Sequence, residues 1–230
     1  MHSSPEAAVV DRDTAASFPP AGVRVVVFDV VGTLIEPAPP VALAYQQAAA
    51  RHGVHLGAEE IRTRFSEAWR RQEAVDAAAL PAFATSRDRE AMRWRAIVED
   101  VFVDCAGAGD IFADLWRHFG DAAAWRPIDR GRSLVRSAID AGVTVALASN
   151  FDERLLAIAC VIEPLSWVPH VFPSSEIGWR KPAPEFFRAL EDRLGCRPEE
   201  SLLVGDDPDL DVTAARRAGW QAVDVGDASA

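Results

Sequence analysis

Five short runs of apolar, largely β-branched residues, set between helical patterns, restrict the folds open to this chain more than any other feature. The first, Val23–Phe28, is almost unbroken, as expected of a strand buried on both faces. Four more runs occupy the second half: Val143–Ala148, Pro169–Pro173, Ser201–Val204 and Gln221–Val225. Between them lie helical patterns over Arg132–Ala141, Glu153–Ile162, Pro184–Leu194 and Asp211–Ala218. Gly142, Gly195 and Gly219 stand where a helix C-terminus favours glycine. Strands alternating with helices predict βαβ units and an α/β domain with a parallel sheet covered on both faces.

The interval 37–125 has a different texture. It shows no strand pattern and four amphipathic segments, Val41–His52, Ala58–Val75, Arg87–Val103 and Ile111–His118. The expected organisation is a sheet core over 22–36 and 126–230, a helical cap inserted over 37–125, and a tail over 1–21 that ends in Pro19-Pro20.

Charge and composition narrow the function. The 230 residues carry 24 basic and 35 acidic side chains, a formal net charge of −11. Such a surface repels phosphate backbones and anionic lipid, which argues against nucleic-acid and membrane partners. The first twenty residues contain Asp11 and Arg12 where a signal peptide needs an apolar run. No apolar stretch reaches the roughly 18 residues of a membrane span. Cys105, Cys160 and Cys196 are widely spaced and unpaired in pattern, and read as buried thiols of a cytoplasmic protein. Of the 24 basic residues 23 are arginine, and Lys181 is the sole lysine.

Open parallel sheets bind ligands at the carboxyl ends of their strands. Here those ends hold Asp29-Val30-Val31-Gly32-Thr33, then Ser149-Asn150, then Lys181-Pro182, then Gly205-Asp206-Asp207 with Asp211. Singly each is weak, because an Asp in a βα turn is often only a cap. Together they deliver a carboxylate, a hydroxyl and amide, the lone lysine and an acidic cluster, in that order.

This ordered set resembles the haloacid dehalogenase-like superfamily of hydrolases over about 200 residues, and FDVVGTL, SNFDERL and GWRKPAPEFF are most similar to its rhythmically-expressed-gene-two-like group. The resemblance implies a Rossmann-like parallel sheet core with an inserted α-helical C1 cap, the arrangement of subfamily IA. It implies a Mg²⁺-dependent phosphohydrolase acting on a small phosphorylated metabolite through an aspartyl-phosphate. Asp29 would be the nucleophile, while Thr33, Ser149, Asn150 and Lys181 would bind the phosphoryl group. Asp29, the Val31 carbonyl and Asp206 would hold the metal, with Asp211 or Asp207 supporting them.

Elementary electrostatics agrees with that assignment. A carboxylate facing a phosphate dianion is repelled unless cations intervene, and Mg²⁺ on hard oxygens with a fixed ammonium supplies them. A compact ammonium fits between two anionic groups where a forked guanidinium is larger, which gives Lys181 a reason to be lysine.

One position departs from the family pattern. Phosphatases of this kind carry a second Asp two residues after the nucleophile, as acid and then base, and here that residue is Val31. Such help is worth roughly 10²–10⁴-fold in rate. Turnover is therefore expected to be slow, or to use Asp152, Glu36 or Asp207 as a substitute acid. The alternatives are a 2-haloacid dehalogenase-like hydrolase, which needs no Mg²⁺, and a non-catalytic binding or regulatory protein on the same fold. The phosphonate-cleaving branch is excluded, because it needs a cap lysine and the cap has none.

Other features read as structural. The Asp206–Asp211 loop is no EF-hand, with Val212 and Ala218 where that motif needs Gly and Glu. His52 and His55 read as solvated, and so do Arg87, Arg89, Arg93 and Arg95, although the arginines could face a substrate anion. Trp69, Trp94 and Trp116 read as cap core.

Overall fold

A computed structural model of the protein describes residues 18–226. Five strands form one sheet: β1 (Val25–Phe28), β4 (Thr144–Ser149), β5 (His170–Pro173), β6 (Ser201–Gly205) and β7 (Gln221–Asp224). All neighbours are parallel, in the order β5-β4-β1-β6-β7. Strand order reverses at β1, so the crevice at its carboxyl end, between β4 and β6, is the natural ligand site of such a sheet.

The alternation of side chains along β1 builds two cores. Val26 and Phe28 pack with Val145, Leu147, Leu202 and Val204 beneath α5 (Asp129–Asp140) and α6 (Arg154–Ala159). Val25 and Val27 pack with Ala146, Ala148 and Leu203 against α8 (Pro184–Leu194) and α9 (Ala214–Arg217), and the one-turn α7 (Ser174–Ile177) follows β5 directly. Burial on both faces explains why β1 reads as an unbroken apolar run. Helix α8 has the expected bounds, with Pro184 at its start and Gly195 in the left-handed region at its end.

The helical insertion comprises α1 (Val41–Arg51), α2 (Ala58–Ala78), α3 (Arg87–Val101) and α4 (Ala108–Gly120). It has its own apolar cluster, in which Tyr45, Ile61, Ile97, Phe102 and Ile111 are buried. Trp69, Trp94 and Trp116 pack against that cluster, as the sequence suggests. Where no strand was expected, the two ends of the insertion pair as an antiparallel ribbon, β2 (Ile35–Pro37) with β3 (Trp125–Pro127). Three-residue strands that each contain proline carry no readable period. This ribbon is the neck through which the chain leaves and re-enters the core.

Four other expectations need correction. The segment from Phe18 to Ala21 is docked rather than loose, since the Phe18 ring lies 6.4 Å from that of Phe28 and the Val23 N–H donates to Pro20; residues 1–17 of the expected tail lie outside the described residues. The helix expected from Asp211 begins earlier, as a widened π-helical segment Pro208–Thr213 that continues into α9. The cysteines are free, but Cys160 is exposed and the others half-buried. His52 contacts Asp114 rather than pointing to solvent alone, and Arg51 joins it there. Among the described residues, no helix is long and apolar enough to cross a membrane.

Candidate active site

The carboxyl ends of three adjacent strands converge on one buried lysine. Asp29 follows β1, and its N–H donates to Val204 of β6 at 2.8 Å, which fixes the residue at the switch point. Its Oδ1 accepts from Ser149 Oγ at 3.1 Å and from Lys181 Nζ at 2.7 Å. Lys181 Nζ also donates to Asp211 Oδ1. Asp29, Lys181 and Asp211 are all buried. Asp206, just after β6, completes the group: Asp29, Asp206 and Asp211 each offer a carboxylate oxygen within 4.8 Å of the others.

Local backbone chemistry makes this convergence possible. Asp207 Oδ1 caps the π-helical segment by accepting from Asp209 and Leu210 N–H, both at 2.8 Å. The widened turn then aims Asp211 back at Lys181, with its Oδ2 accepting from the Asp207 N–H at 3.1 Å. Gly205 is required beside it, since a Cβ there would overlap the Asp211 side chain. Gly32 has φ +89°, and a Cβ there would overlap the Asp206 carboxylate.

The charges do not balance. Three carboxylates face one ammonium in a site withdrawn from water. Burial drives the Asp29 carboxyl up to about 7 against the pull of Lys181, and Asp211 and Asp206 add to the rise. Burial also raises Asp206, opposed by the hydrogen bond from Thr33. On Lys181 burial favours loss of the proton, but Asp211 and Asp29 more than reverse it and hold the ammonium above its ordinary range. Such a cluster lacks positive charge, and its hard oxygen donors suit a divalent cation. Among the described residues no hydrogen bond ends on the Val31 carbonyl. The residues present therefore fit the expected metal.

Two residues expected to bind the phosphoryl group make other contacts in this structure. Thr33 Oγ1 donates to Asp206 Oδ1 at 2.8 Å, so it orients a carboxylate of the acidic group. Asn150 clasps the main chain of Lys181: Oδ1 accepts the Lys181 N–H at 2.8 Å and Nδ2 donates to the Lys181 carbonyl at 2.9 Å. Its amide positions the lysine, with both polar ends occupied. Ser149 and Lys181 remain on Asp29 itself.

The three candidate substitute acids are committed elsewhere as anions or acceptors. Asp152 makes a two-pronged pair with Arg154, each bond 2.6 Å. Glu36 pairs with Arg126 across the neck at 2.8 Å. Asp207 caps its own turn. None of the three shares a hydrogen bond with Asp29 in this structure.

A cavity of about 440 Å³ lies where insertion and core meet. Val31, Asn150 and Phe151 contribute to its lining from the strand ends, and Tyr45, Trp69 and Trp94 from the insertion.

A second charged cluster lies beside the site and has no local signature in the sequence. Arg180, one residue before Lys181, is fully buried and reaches Glu90 of α3 and Glu73 and Asp76 of α2. Arg93, read as solvated, is buried in the same cluster on Asp76 and Glu73, and Arg89 joins on Asp76. Helical spacing placed these arginines on one helix, but the partners that bury Arg93 come from another. Arg87 and Arg95 are exposed, as expected.

Residues 23–219 match the model of a family described as haloacid dehalogenase-like hydrolase. Among curated proteins, the chain is 26% identical to human haloacid dehalogenase-like hydrolase domain-containing protein 3, covering 87% of this chain and 80% of that protein. It is 22% identical to the rhythmically expressed gene 2 protein of Drosophila melanogaster, over 90% and 84% of the two chains. A shorter stretch of 87 residues is 46% identical to glyceraldehyde 3-phosphate phosphatase of Methanopyrus kandleri, 36% of this chain and 34% of that one. Among solved structures, a dehalogenase superposes with a TM-score of 0.67 at 19% identity, covering 90% and 87%. The magnesium-bound HAD-hydrolase YfnB of Bacillus subtilis gives 0.64 at 18%, covering 87% of each chain. These two likenesses show the fold, a parallel core with a C1 cap.

Proposed function

The chain belongs to the haloacid dehalogenase-like hydrolases, and on that premise we propose that it is a Mg²⁺-dependent phosphohydrolase of a small phosphorylated metabolite, in the C1-capped, rhythmically-expressed-gene-two-like branch. One observation carries this reading: Asp29 shares Lys181 with Asp211 and lies within metal-binding reach of Asp206 and Asp211. Phosphoryl transfer asks for positioning and charge compensation more than for elaborate covalent chemistry. Asp29 is the nucleophile. Lys181 neutralises charge on it and on the incoming phosphoryl oxygens, and Ser149 hydrogen-bonds the same region. Asp29, Asp206, Asp211 and the Val31 carbonyl are the residues that would hold Mg²⁺, which when bound supplies the remaining positive charge. Thr33 and Asn150 act at one remove, the first on Asp206 and the second on Lys181. Residues 37–125 serve as the cap over a core of 22–36 and 126–226.

Valine at 31 leaves the family's usual position for the acid without a proton donor, so the reading predicts slow turnover of alkyl esters. The test is Mg²⁺-dependent phosphate release from an activated aryl phosphate, whose leaving group needs no proton. Activity lost in Asp29→Asn and with chelator supports the reading, and no release from the wild type overturns it.

The cavity favours a second reading. It is apolar and includes Arg154 in its lining, the combination a 2-haloacid dehalogenase uses. The acidic group opposes that reading, because such enzymes need no metal and Asp206 and Asp211 would then add only repulsion. Chloride release from a 2-haloacid without Mg²⁺ would select it.

A further inference from the structure

The cavity between insertion and core is aromatic to an unusual degree. Four tryptophans and four phenylalanines line it, together with Tyr45, the only tyrosine of the chain. Two of its polar lining groups are occupied with partners, Arg154 by Asp152 and Asn150 by the Lys181 main chain, while Arg70 is exposed and donates to Ser66. No carboxylate is among the lining residues described. At about 440 Å³ it lies within the roughly 300–1,000 Å³ range of pockets that enclose drug-sized ligands, well beyond the needs of a two- or three-carbon acid.

Val31 joins this cavity to the chemistry. It stands two residues from Asp29, lines the cavity and packs against the core cluster. At the position where an acid would protonate the leaving group, the chain instead extends an apolar wall. Both effects select the same ligand, one with an apolar ring body and an oxygen that departs without a proton.

We propose that the substrate is an aryl phosphate monoester, with its phosphate at Asp29 and Lys181 and its ring system in the aromatic cavity. This deepens the phosphohydrolase reading and rests on it. Asp29 Oδ attacks phosphorus, the new P–O bond forms as the P–O(aryl) bond breaks, and the electron pair leaves on a phenolate. The phenolate takes its proton from solvent water. A second water then attacks phosphorus and displaces the Asp29 carboxylate, and its proton leaves with inorganic phosphate.

The experiment compares 2-naphthyl phosphate with phenyl phosphate, whose leaving groups have closely similar basicity, in the presence of Mg²⁺. Burying a second ring should raise kcat/KM at least about tenfold. Val98→Phe, which fills the cavity from α3, should bring that ratio towards one. Because that variant could fold poorly, the wild type is also titrated with 2-naphthol. Quenching of tryptophan fluorescence, saturable and competitive with 2-naphthyl phosphate turnover, supports the proposal. Equal kcat/KM for the two esters in an active enzyme overturns it and leaves the phosphohydrolase reading standing. No turnover of any phosphate overturns both.

Discussion

Arg180 Nη1 donates to both carboxylate oxygens of Glu90 at 2.8 Å, joining the core to the inserted cap one residue before the active-site lysine. Around that pair the α2–α3 connection is sewn to the core. Ala84 bridges Trp179, the Thr85 N–H donates to Gly178 and the Arg180 N–H to Phe83, both at 2.9 Å. Thr85 and Ser174 hydroxyls complete the Glu90 carboxylate. The cap therefore meets the core at the β2–β3 neck, at this buried junction, and where Arg154 of α6 donates to the Trp116 carbonyl of α4.

Removing one partner of such a pair leaves an uncompensated charge in the interior. Glu90→Ala should cost about 3–5 kcal/mol in urea unfolding. Replacing both partners with apolar residues, Glu90→Leu with Arg180→Met, should recover most of that loss. A single variant as stable as the wild type would show that the junction opens to water.

The Asp76 carboxyl gives the junction a pH limb. Burial pushes it up, but hydrogen bonds from Arg89 and Arg93 and the charges of Arg93 and Arg180 outweigh burial and hold it below the ordinary carboxylate range. A depressed folded-state pKa contributes stability that is present above the unfolded value of about 3.9 and is lost as pH falls through the folded one. Unfolding free energies of wild type and Asp76→Asn should therefore differ at pH 7 and converge as pH falls below about 4.

Mg²⁺ should stabilise the folded chain, because it binds a carboxylate cluster that the unfolded chain does not assemble. Thermal unfolding should move upward with added Mg²⁺ in the wild type. The shift should vanish in Asp206→Asn, and chelator should return the wild type to its starting midpoint.

Val31→Asp supplies the absent acid. It should raise kcat for an alkyl phosphate by up to about 10²–10⁴-fold and change hydrolysis of an activated aryl ester far less. Comparable gains on both esters would show that the substitution acts through something other than leaving-group protonation.

Gly205→Ala tests the local geometry of the acidic group. Its Cβ would overlap Asp211, so the Lys181–Asp211 pair must give way. The expected result is loss of the Mg²⁺-dependent thermal shift, with far-ultraviolet circular dichroism retained.

The strands, their parallel arrangement and the helical insertion were legible in the sequence because burial on both faces writes itself as unbroken apolar runs, and because β1 and α8 carry their own local signals. The ordered strand-end residues were legible too, since a parallel sheet gathers the ends of its strands whatever lies between them. What only the tertiary structure decided were interactions between residues far apart in the chain. Thr33 lies on Asp206, Asn150 on the Lys181 main chain, and Arg93 and Arg180 in a buried cluster with α2 and α3. A hydroxyl, an amide or an arginine has the same local signature whether it meets a ligand, solvent or a buried partner. Its role is set by which group the fold brings within hydrogen-bond distance. The three-residue neck strands were invisible for a related reason, because their pairing lies across the whole insertion and leaves no period in either segment.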